Sequence, residues 1–498
     1  MDVTYAYTGL NSSQVRGLVE KRQQLDDLVT QETTKLKSQS YAGIEHRSLT
    51  LAFQGKIVQN AAYQSTVTTI DPRLNVIGDV VDSLSTLAND TAGELGQNGF
   101  LLTSDGTTPE QSMAQNALEG YVSALDTEYN GIYLFGGKAT DTPPVASTNT
   151  ILKGEGTKAG FETVMAQRLQ ADLGANGLGR LTLSSTGTTV SLAEDGVHPF
   201  GAKLTAIAST LSNVTASGPT GSPAAMSVAL SGQPTAGQKI DLTLTLPDGS
   251  TSVVTLTAGA TADADKDVFA IGATATDTAT NIASALQTAL TRVGKTDLTA
   301  ASAEAAADNF FDTTGGGTPM RVAGPPYATA TSLVAGTTAD TVFWYTGTND
   351  AANPRDDATA RVDDDLTISY GTRANETAFV DHIKQLAVMA SVDVSAGGTT
   401  EKALYSAVVE RVKPALQRTT GSNSLQAVAT SIVGAQKAAE MATTRLKMAS
   451  ETYQTAIDQN TTVDDTTVAV QLAALQTQMS ASYKATSMLY KMTLADYM

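Results

Sequence analysis

The chain has 498 residues and no cysteine, which excludes disulfide bonds, thiolate metal sites and cysteine nucleophiles. Its length allows about two to four domains, while aromatic residues make up only 5%, which favours slim domains or helices packed through Ala and Leu. The net charge of −18 argues against nucleic acid or an anionic membrane as partner, because both would repel the chain.

The N-terminus shows none of the features of a secretory signal. It carries no positive charge before Arg16 and no apolar run of the required length. Nowhere does an apolar stretch approach the roughly 18 residues of a membrane span. We therefore expect no cleaved signal peptide and no membrane insertion.

The first predicted helix covers Asn11 to Ser40, where apolar residues recur at steps of three and four, the spacing of a packed helical seam. Its apolar positions are Val15, Leu18, Leu25, Val29 and Leu36. After a polar connector around 38–47, a second helix keeps this spacing unbroken through Val67, Ile70, Leu74, Ile77, Val81, Leu84 and Ala88. Pro72 lies within this run and predicts a kink or local break.

A third helix is predicted to begin at Thr108-Pro109-Glu110-Gln111, a capping box with Pro at the first helical position, and to end near Tyr129. Leu118, Tyr121 and Leu125 should face inward.

The middle of the chain, about Thr148 to Thr400, is rich in Thr, Ala, Gly and Ser and has short alternating runs typical of strands. The alternation over 240–246, followed by the turn 247–250 and Val254-Thr255-Leu256, predicts a β-hairpin. A helix from Thr276 to about Val293 follows. Residues 200–370 hold 8 Lys and Arg against 17 Asp and Glu, so about half of the net charge lies here.

The C-terminal region contains the longest helical pattern. Its ten positions are Leu425, Val428, Ile432, Ala435, Ala439, Ala442, Leu446, Ala449, Tyr453 and Ala456. The many alanines suit closely packed helices of a bundle. After a break at Asp458 to Asp465, a final amphipathic helix is predicted with Leu472, Leu475, Met479, Tyr483 and Leu489 on or near one face. Such a helix needs a partner, either the N-terminal helix or another subunit.

The residues that could carry catalysis or bind a metal do not form a recognisable site. The three histidines, His46, His198 and His382, are not part of a His-Glu-x-x-His motif. Asp263 to Asp267 has alternating carboxylates like a calcium loop, but Val268 and Thr274 stand where that loop needs Gly and Glu. Asp363-Asp364-Asp365 is interpreted as exposed charge at the entrance to a strand. We expect no catalytic residues, no metal and no cofactor.

Several segments resemble the bacterial flagellin superfamily, which includes filament flagellins and the related hook-filament junction proteins. Residues 129–137, continuing to Pro143-Pro144, resemble the segment that closes the N-terminal helical part of this superfamily. The stretches 343–347, 360–363, 368–371 and 373–376 are similar to alphaproteobacterial-type members. Residues 475–479 and 481–485 resemble the C-terminal helix of both classes. The resemblance covers about half of the chain, at both ends and in the right order.

The resemblance implies a multidomain α+β architecture in which both chain ends form a long antiparallel helical bundle or coiled coil around a strand-rich insert. The expected parts are a terminal helical core domain (1–45 and 457–498), a helical rod domain with β-hairpins (46–195 and 355–456) and an outer insert domain (196–354). The seam Val15, Leu18, Leu25, Val29, Leu36, Leu472, Leu475, Met479, Tyr483 and Leu489 would then mediate helical self-assembly.

The resemblance further implies an extracellular location in the bacterial flagellum, reached by flagellar type III export without a cleaved signal. The expected partners are other copies of the chain, related flagellar axial proteins, an export chaperone and the export apparatus. The final residues 493–498 look closer to junction proteins, so the hook-filament junction protein remains an alternative to the filament subunit. An alternative of another class is a surface adhesin or carbohydrate-binding module on a helical stalk, which would need an aromatic platform in the insert.

Overall fold

A computed structural model describes the backbone of residues 3–418 and 421–495, and their side chains except at 3–12, 14, 41 and 489–495. The protein is an α+β chain with helices at both ends and a strand-rich middle, as the sequence predicts. The helices are α1 (Val3–Thr34), α2 (Arg47–Glu94), α3 (Pro109–Leu125), α4 (Thr148–Lys153), α5 (Phe161–Leu173), α6 (Ala275–Lys295), α7 (Asp297–Phe311), α8 (Thr377–Ser391), α9 (Thr399–Leu416), α10 (Leu425–Thr461) and α11 (Asp465–Ala495).

The strands are short, and half of them lie between α5 and α6. They are β1 (Glu128–Tyr129), β2 (Ile132–Tyr133), β3 (Gly154–Glu155), β4 (Lys158–Ala159), β5 (Leu181–Thr186), β6 (Thr189–Glu194), β7 (Lys203–Ser209), β8 (Val214–Thr220), β9 (Ala225–Leu230), β10 (Lys239–Thr245), β11 (Thr251–Gly259), β12 (Val268–Ala270), β13 (Met320–Val322), β14 (Leu333–Ala335), β15 (Thr359–Arg361) and β16 (Thr367–Ser369).

The chain divides into two compact units. The terminal unit comprises Met1–Thr69, Arg361–Thr367 and Ala438–Met498, and the central unit comprises Ile70–Ala360 and Ile368–Lys437. The terminal unit holds 12 Lys and Arg against 15 Asp and Glu, a net charge of −3, so −15 of the total −18 belongs to the central unit. Mutual repulsion between copies therefore arises mainly from the central unit.

The two long seams predicted from the sequence are confirmed. All seven seam positions from Val67 to Ala88 are buried on α2. Of the ten predicted on α10, the seven from Leu425 to Leu446 are buried, and Ala449, Tyr453 and Ala456 are half-buried. Of the kink or local break predicted at Pro72, the break is absent, because α2 continues through this residue and both Ile70 and Leu74 remain buried. A regular spacing of apolar residues over many turns thus identified these helices and their inward faces.

The N-terminal helix ends earlier than the sequence pattern predicts. It stops at Thr34 and not at Ser40, and Lys35 adopts a positive φ of 59° directly after it. Leu36 therefore lies outside the helix, where it forms an isolated antiparallel bridge with Thr462. The third helix likewise ends at Leu125, before Tyr129, which belongs to β1.

The cap of α3 forms as predicted. The backbone N–H of Gln111 donates to the side-chain oxygen of Thr108, and the Gln111 side chain accepts from the backbone N–H of Thr108, while Pro109 occupies the first turn. Leu118, Tyr121 and Leu125 are all fully buried.

Replacing the capping residue should weaken the central unit by a modest amount. Thr108→Ala removes the acceptor of the buried Gln111 N–H and should lower the free energy of unfolding by about 1 kcal/mol. Urea denaturation measures this loss. Thr108→Ser keeps the oxygen and should unfold close to the unaltered chain, so an equal loss in both variants would contradict the capping role.

The strand-rich middle consists mainly of two four-stranded sheets, with the orders β5-β6-β9-β8 and β12-β11-β10-β7. The predicted hairpin is present as β10 and β11, paired antiparallel with Leu242 opposite Val254. Both sheets and α6 contribute side chains to one hydrophobic core, including Leu192 and Met226 from the first sheet, Leu242 and Leu256 from the second, and Ile282 and Leu286 from the helix.

The sequence patterns missed four helices, α4, α5, α7 and α9. The clearest case is α7, in which ten of the fifteen residues are buried, so no polar face marks its helical period. Phe310 and Phe311 at its end are fully buried and pack against Phe161, which begins α5. A helix that is apolar on most sides is ambiguous in sequence unless its length identifies it.

Candidate assembly interface

The two terminal helices α1 and α11 pack against each other within one chain. The segment after α1 pairs with the connection between α10 and α11, because Lys37 N–H donates to the carbonyl of Thr461, the last residue of α10, at 2.8 Å and Val463 N–H donates to Lys35 O at 3.1 Å. Lys35 Nζ also lies 3.0 Å from a carboxylate oxygen of Asp465, and this contact raises the pKa of Lys35. The two helices therefore run antiparallel from this junction.

The pairing of α1 with α11 buries only part of the predicted seam. Leu475 and Met479 are buried, and Leu18, Leu25 and Leu472 are half-buried. Val15, Val29, Leu36 and Tyr483 are exposed, with 59% of Val15 accessible to solvent. Leu489 lies outside the residues whose side chains the structure describes. A single chain therefore leaves about half of these apolar positions uncovered.

The surface of α11 is also unusual in its lack of charge. Residues 466–483 form 18 consecutive positions without Lys, Arg, Asp or Glu. Most of them are exposed, including Val470, which is 64% accessible. A helix that stays in water normally presents a charged face. This face of α11 has the composition of a surface that becomes covered.

The remaining helical part of the terminal unit combines the start of α2 with the end of α10. Asn60 Nδ2 donates to Ser450 Oγ at 3.0 Å, and the rings of Phe53 and Tyr453 stack with centroids 5.3 Å apart. Here too large apolar side chains are exposed, among them Val58 and Met448.

The acidic run 363–365 has partners that its sequence did not reveal. Asp364 accepts hydrogen bonds from Lys56 at 3.1 Å, from Gln59 at 2.6 Å and from the Tyr63 hydroxyl at 3.0 Å. The Lys56 contact is the main reason that the pKa of Asp364 is lowered. The neighbouring Asp363 pairs with Arg445 of α10. Asp364 and Asp365 are exposed and lie just before β16, as predicted. The contacts of Asp363 and Asp364 in addition hold the 361–367 segment to α2 and α10.

In the central unit, segments that carry the family resemblance are far apart in sequence but lie side by side in the structure. The first segment forms a hairpin, β1 to β2, turned by Asn130 and Gly131 with φ of 53° and 78°, as expected for Asn-Gly. It continues to Phe135, whose carbonyl accepts from Ala374 N–H at 2.8 Å. These contacts show that segments more than 200 residues apart form one structural element.

No family model, curated protein or solved structure matches this chain.

A second pair of these segments also meets. Ala146 N–H donates to Trp344 O and Thr346 N–H donates to Pro144 O, both at 2.8 Å. The Trp344 ring is fully buried, and its indole N–H donates to Phe311 O at 3.1 Å. The segments 143–144 and 343–347, which both carry the family resemblance, therefore pack together in one region of the fold.

Arg373 is the central charged group of this region. Its side chain is 3% exposed and binds Asp357, which is 1% exposed, with Nη2 at 2.9 Å from Oδ1. Nη2 also lies 2.7 Å from Asp350 Oδ1, and both acids raise the pKa of Arg373. This ion cluster holds the segment that precedes α8 against the turn that contains Asp357.

Two of the three histidines, His198 and His382, and the acidic loop 263–267 make structural contacts, while His46 is exposed. His382 is buried on α8 with Nδ1 3.0 Å from Ala378 O, and burial lowers its pKa. His198 contacts Asp195 and Arg180. Asp263 pairs with Lys266 and Asp267 with Arg292. Within the described part of the chain, no group of three or more His, Asp and Glu is placed to hold a metal, and no helix is long and apolar enough to cross a membrane.

Proposed function

We propose that this chain is a structural subunit of the bacterial flagellum, a flagellin that assembles helically into the filament through its terminal helices. The observation that carries the proposal is the uncharged and largely exposed surface of α11, which pairs with α1, where Val15 and Val29 are also exposed. Contact of this surface with neighbouring copies would remove Val15, Val29, Val470 and Tyr483 from water, and such burial contributes roughly 25 cal/mol per Å² of apolar area.

In this proposal the antiparallel pair α1 and α11 forms the coiled-coil inner layer of the filament. Contacts between different patches on successive copies do not close into a ring and generate an open helix. The charge distribution supports the arrangement, because the terminal unit is nearly neutral and the acidic central unit can face water. The proposed location is extracellular, after type III export with an export chaperone.

A charged side chain on α11 should prevent assembly. Val470→Asp places a carboxylate on a position that is exposed in the single chain, so the subunit should fold, but burial of the unpaired charge between copies would be costly. The matched control is Val253→Asp, at a position 56% exposed on β11 in the proposed outer part. Electron microscopy should show fibres for the intact chain and the control, and none for Val470→Asp.

Removal of the terminal helices provides a second measurement. A chain that lacks about 40 residues at each end loses both α1 and α11 and should form no fibres. Circular dichroism would establish that both variants are folded. Fibres that form equally from Val470→Asp, or from the truncated chain, would overturn the proposal.

The hook-filament junction protein is the second candidate, favoured by the closing residues 493–498. Both candidates use the same terminal helices, so the fibre experiment does not separate them. The number of copies per flagellum does, since a filament needs on the order of thousands and a junction on the order of ten, by the logic of helical assembly. The adhesin alternative has less support, because Trp344, the only Trp, is buried and cannot offer its face to a sugar.

A further inference from the structure

We infer that two copies of this chain pair through strand β5, joining the β5-β6-β9-β8 sheets of their central units into one continuous sheet. The inference concerns a surface apart from the terminal helices and does not depend on the proposed function. It starts from the edges of the two sheets, because an edge strand presents unpaired N–H and C=O groups that another chain can use.

The two sheets have four edge strands, and three of them are protected. Strands β7 and β8 lie against each other, and β8 also contains Gly218 and Pro219, where its register with β9 shifts. Strand β12 has only three residues and packs against α6. Proline, register shifts and short length are the features that block pairing at an edge.

Strand β5 also packs against α6, but it is longer than β12 and has neither a proline nor a register shift. Its six residues, LTLSST, contain no charge and no proline, and the last three are exposed. In the part of the chain that the structure describes, β6 is the only strand that pairs with it. A neutral, regular and exposed edge of this kind is a site for strand addition.

The register of the β5-β6 hairpin fixes which groups face outward. Thr186 pairs with Thr189 across the two-residue turn at Gly187 and Thr188, and the residues that flank such a turn form a hydrogen-bonded pair. Because hydrogen-bonded and non-hydrogen-bonded pairs alternate, Leu183 and Ser185 direct their N–H and C=O groups away from β6. The carbonyl oxygen of Leu181 also points away from β6, and it accepts a hydrogen bond from Asn176 Nδ2.

Because of this alternation of backbone groups, β5 of one copy can pair with β5 of a second copy. If two β5 strands run antiparallel about a twofold axis at Ser184, then Leu183 of each copy lies opposite Ser185 of the other. Both residues have outward backbone groups, so the two pairs form four hydrogen bonds. The strand carries no charge, so no like charges meet across the axis.

The chain lacks cysteine, so a single introduced thiol reports on this pairing. Two Ser184 residues would form a non-hydrogen-bonded pair with Cα atoms about 4.5 Å apart, within the roughly 4.4–6.8 Å range of a disulfide. Ser184→Cys should therefore give a disulfide-linked dimer on mild oxidation. Ser217→Cys, an exposed serine on the protected strand β8, is the matched control and should stay monomeric.

A blocking substitution tests the strand pairing itself. Ser185→Pro removes an outward N–H without removing a β5-β6 hydrogen bond, and a β conformation suits the residue before it. Added to Ser184→Cys, it should abolish the crosslink, while circular dichroism shows the same fold. All variants would also carry Val470→Asp, which should prevent fibre assembly. The soluble fraction would be oxidised at about 0.5 M salt, which screens the repulsion between the acidic central units.

The crosslinks are scored on denaturing gels without reductant. A dimer with Ser184→Cys that is lost with Ser185→Pro supports the inference. Equal dimer yields from Ser184→Cys and Ser217→Cys, or a crosslink that persists with Ser185→Pro, would overturn it. Fibres that persist with Val470→Asp would instead count against the proposed function, and the crosslinks in the soluble fraction would still decide the β5 pairing.

Discussion

Arg373→Met should destabilise the central unit by about 3 to 5 kcal/mol, the cost of breaking a buried ion pair by removing one partner. The variant leaves the carboxylate of Asp357 only 1% exposed and without its guanidinium. Lys138 lies 3.6 Å from Asp357, but its side chain is mostly in solvent, so it compensates little. The loss comes from the uncompensated charge and not from the volume of the arginine.

Urea denaturation followed by the fluorescence of Trp344 measures this effect, since the only Trp is buried in the same unit. Asp350→Asn is the control: Asp350 also contacts Arg373 but is about half exposed, so its removal should cost no more than about 1 kcal/mol. In the double variant Arg373→Met with Asp357→Leu, much of the lost stability should return. A double variant as unstable as Arg373→Met alone would contradict the electrostatic explanation.

The sequence predicted the parts of the fold that depend on local periodicity. Leu74 and Ile432 were predicted to lie in the core because their helices repeat apolar residues over many turns. The Thr108 cap was predictable because its residues form hydrogen bonds to near neighbours in sequence. The β10 and β11 hairpin was predictable for the same reason, since the turn lies between its two strands.

The features that depend on distant contacts were not predictable. No pattern indicates that Asp364 is held by Lys56, about 300 residues away, or that Phe135 lies beside Ala374. On the terminal helix the pattern selected Val29, while the structure half-buries Leu28 and exposes Val29. Two adjacent apolar residues fit two possible apolar faces of a helix equally well, and only the position of the partner helix determines which of them is buried.

Glu304 should make the central unit less stable as the pH rises. It lies on α7 with one carboxylate oxygen accepting from Gln385 Nε2 at 2.8 Å and the other buried without a partner. Burial is the main cause that raises its pKa to about 7, assisted by Asp308 and Asp248, while Gln385 and Lys384 act in the opposite direction.

The sign of the pH dependence follows from the two protonation states. The pKa in the folded state, about 7, exceeds the ordinary value of 4.5, so between these values the folded chain binds more protons than the unfolded chain. The free energy of unfolding therefore falls as the pH rises through this window. The loss reaches about 3 kcal/mol once the carboxyl is ionised in the folded state.

Glu304→Gln should remove this pH dependence. At pH about 8 the variant should be more stable than the unaltered chain by up to about 3 kcal/mol, and near pH 4 the two should be similar. Urea denaturation at both pH values measures the difference.

Glu119→Gln, at an exposed position on α3, is the matched control and should change the stability little at either pH. If Glu304→Gln were no more stable than the unaltered chain at pH 8, the folded protein would have to supply the ionised carboxyl with a partner. Lys384 is the nearest candidate, since its Nζ already bridges Asp308 at 2.8 Å and Asp381 at 3.1 Å.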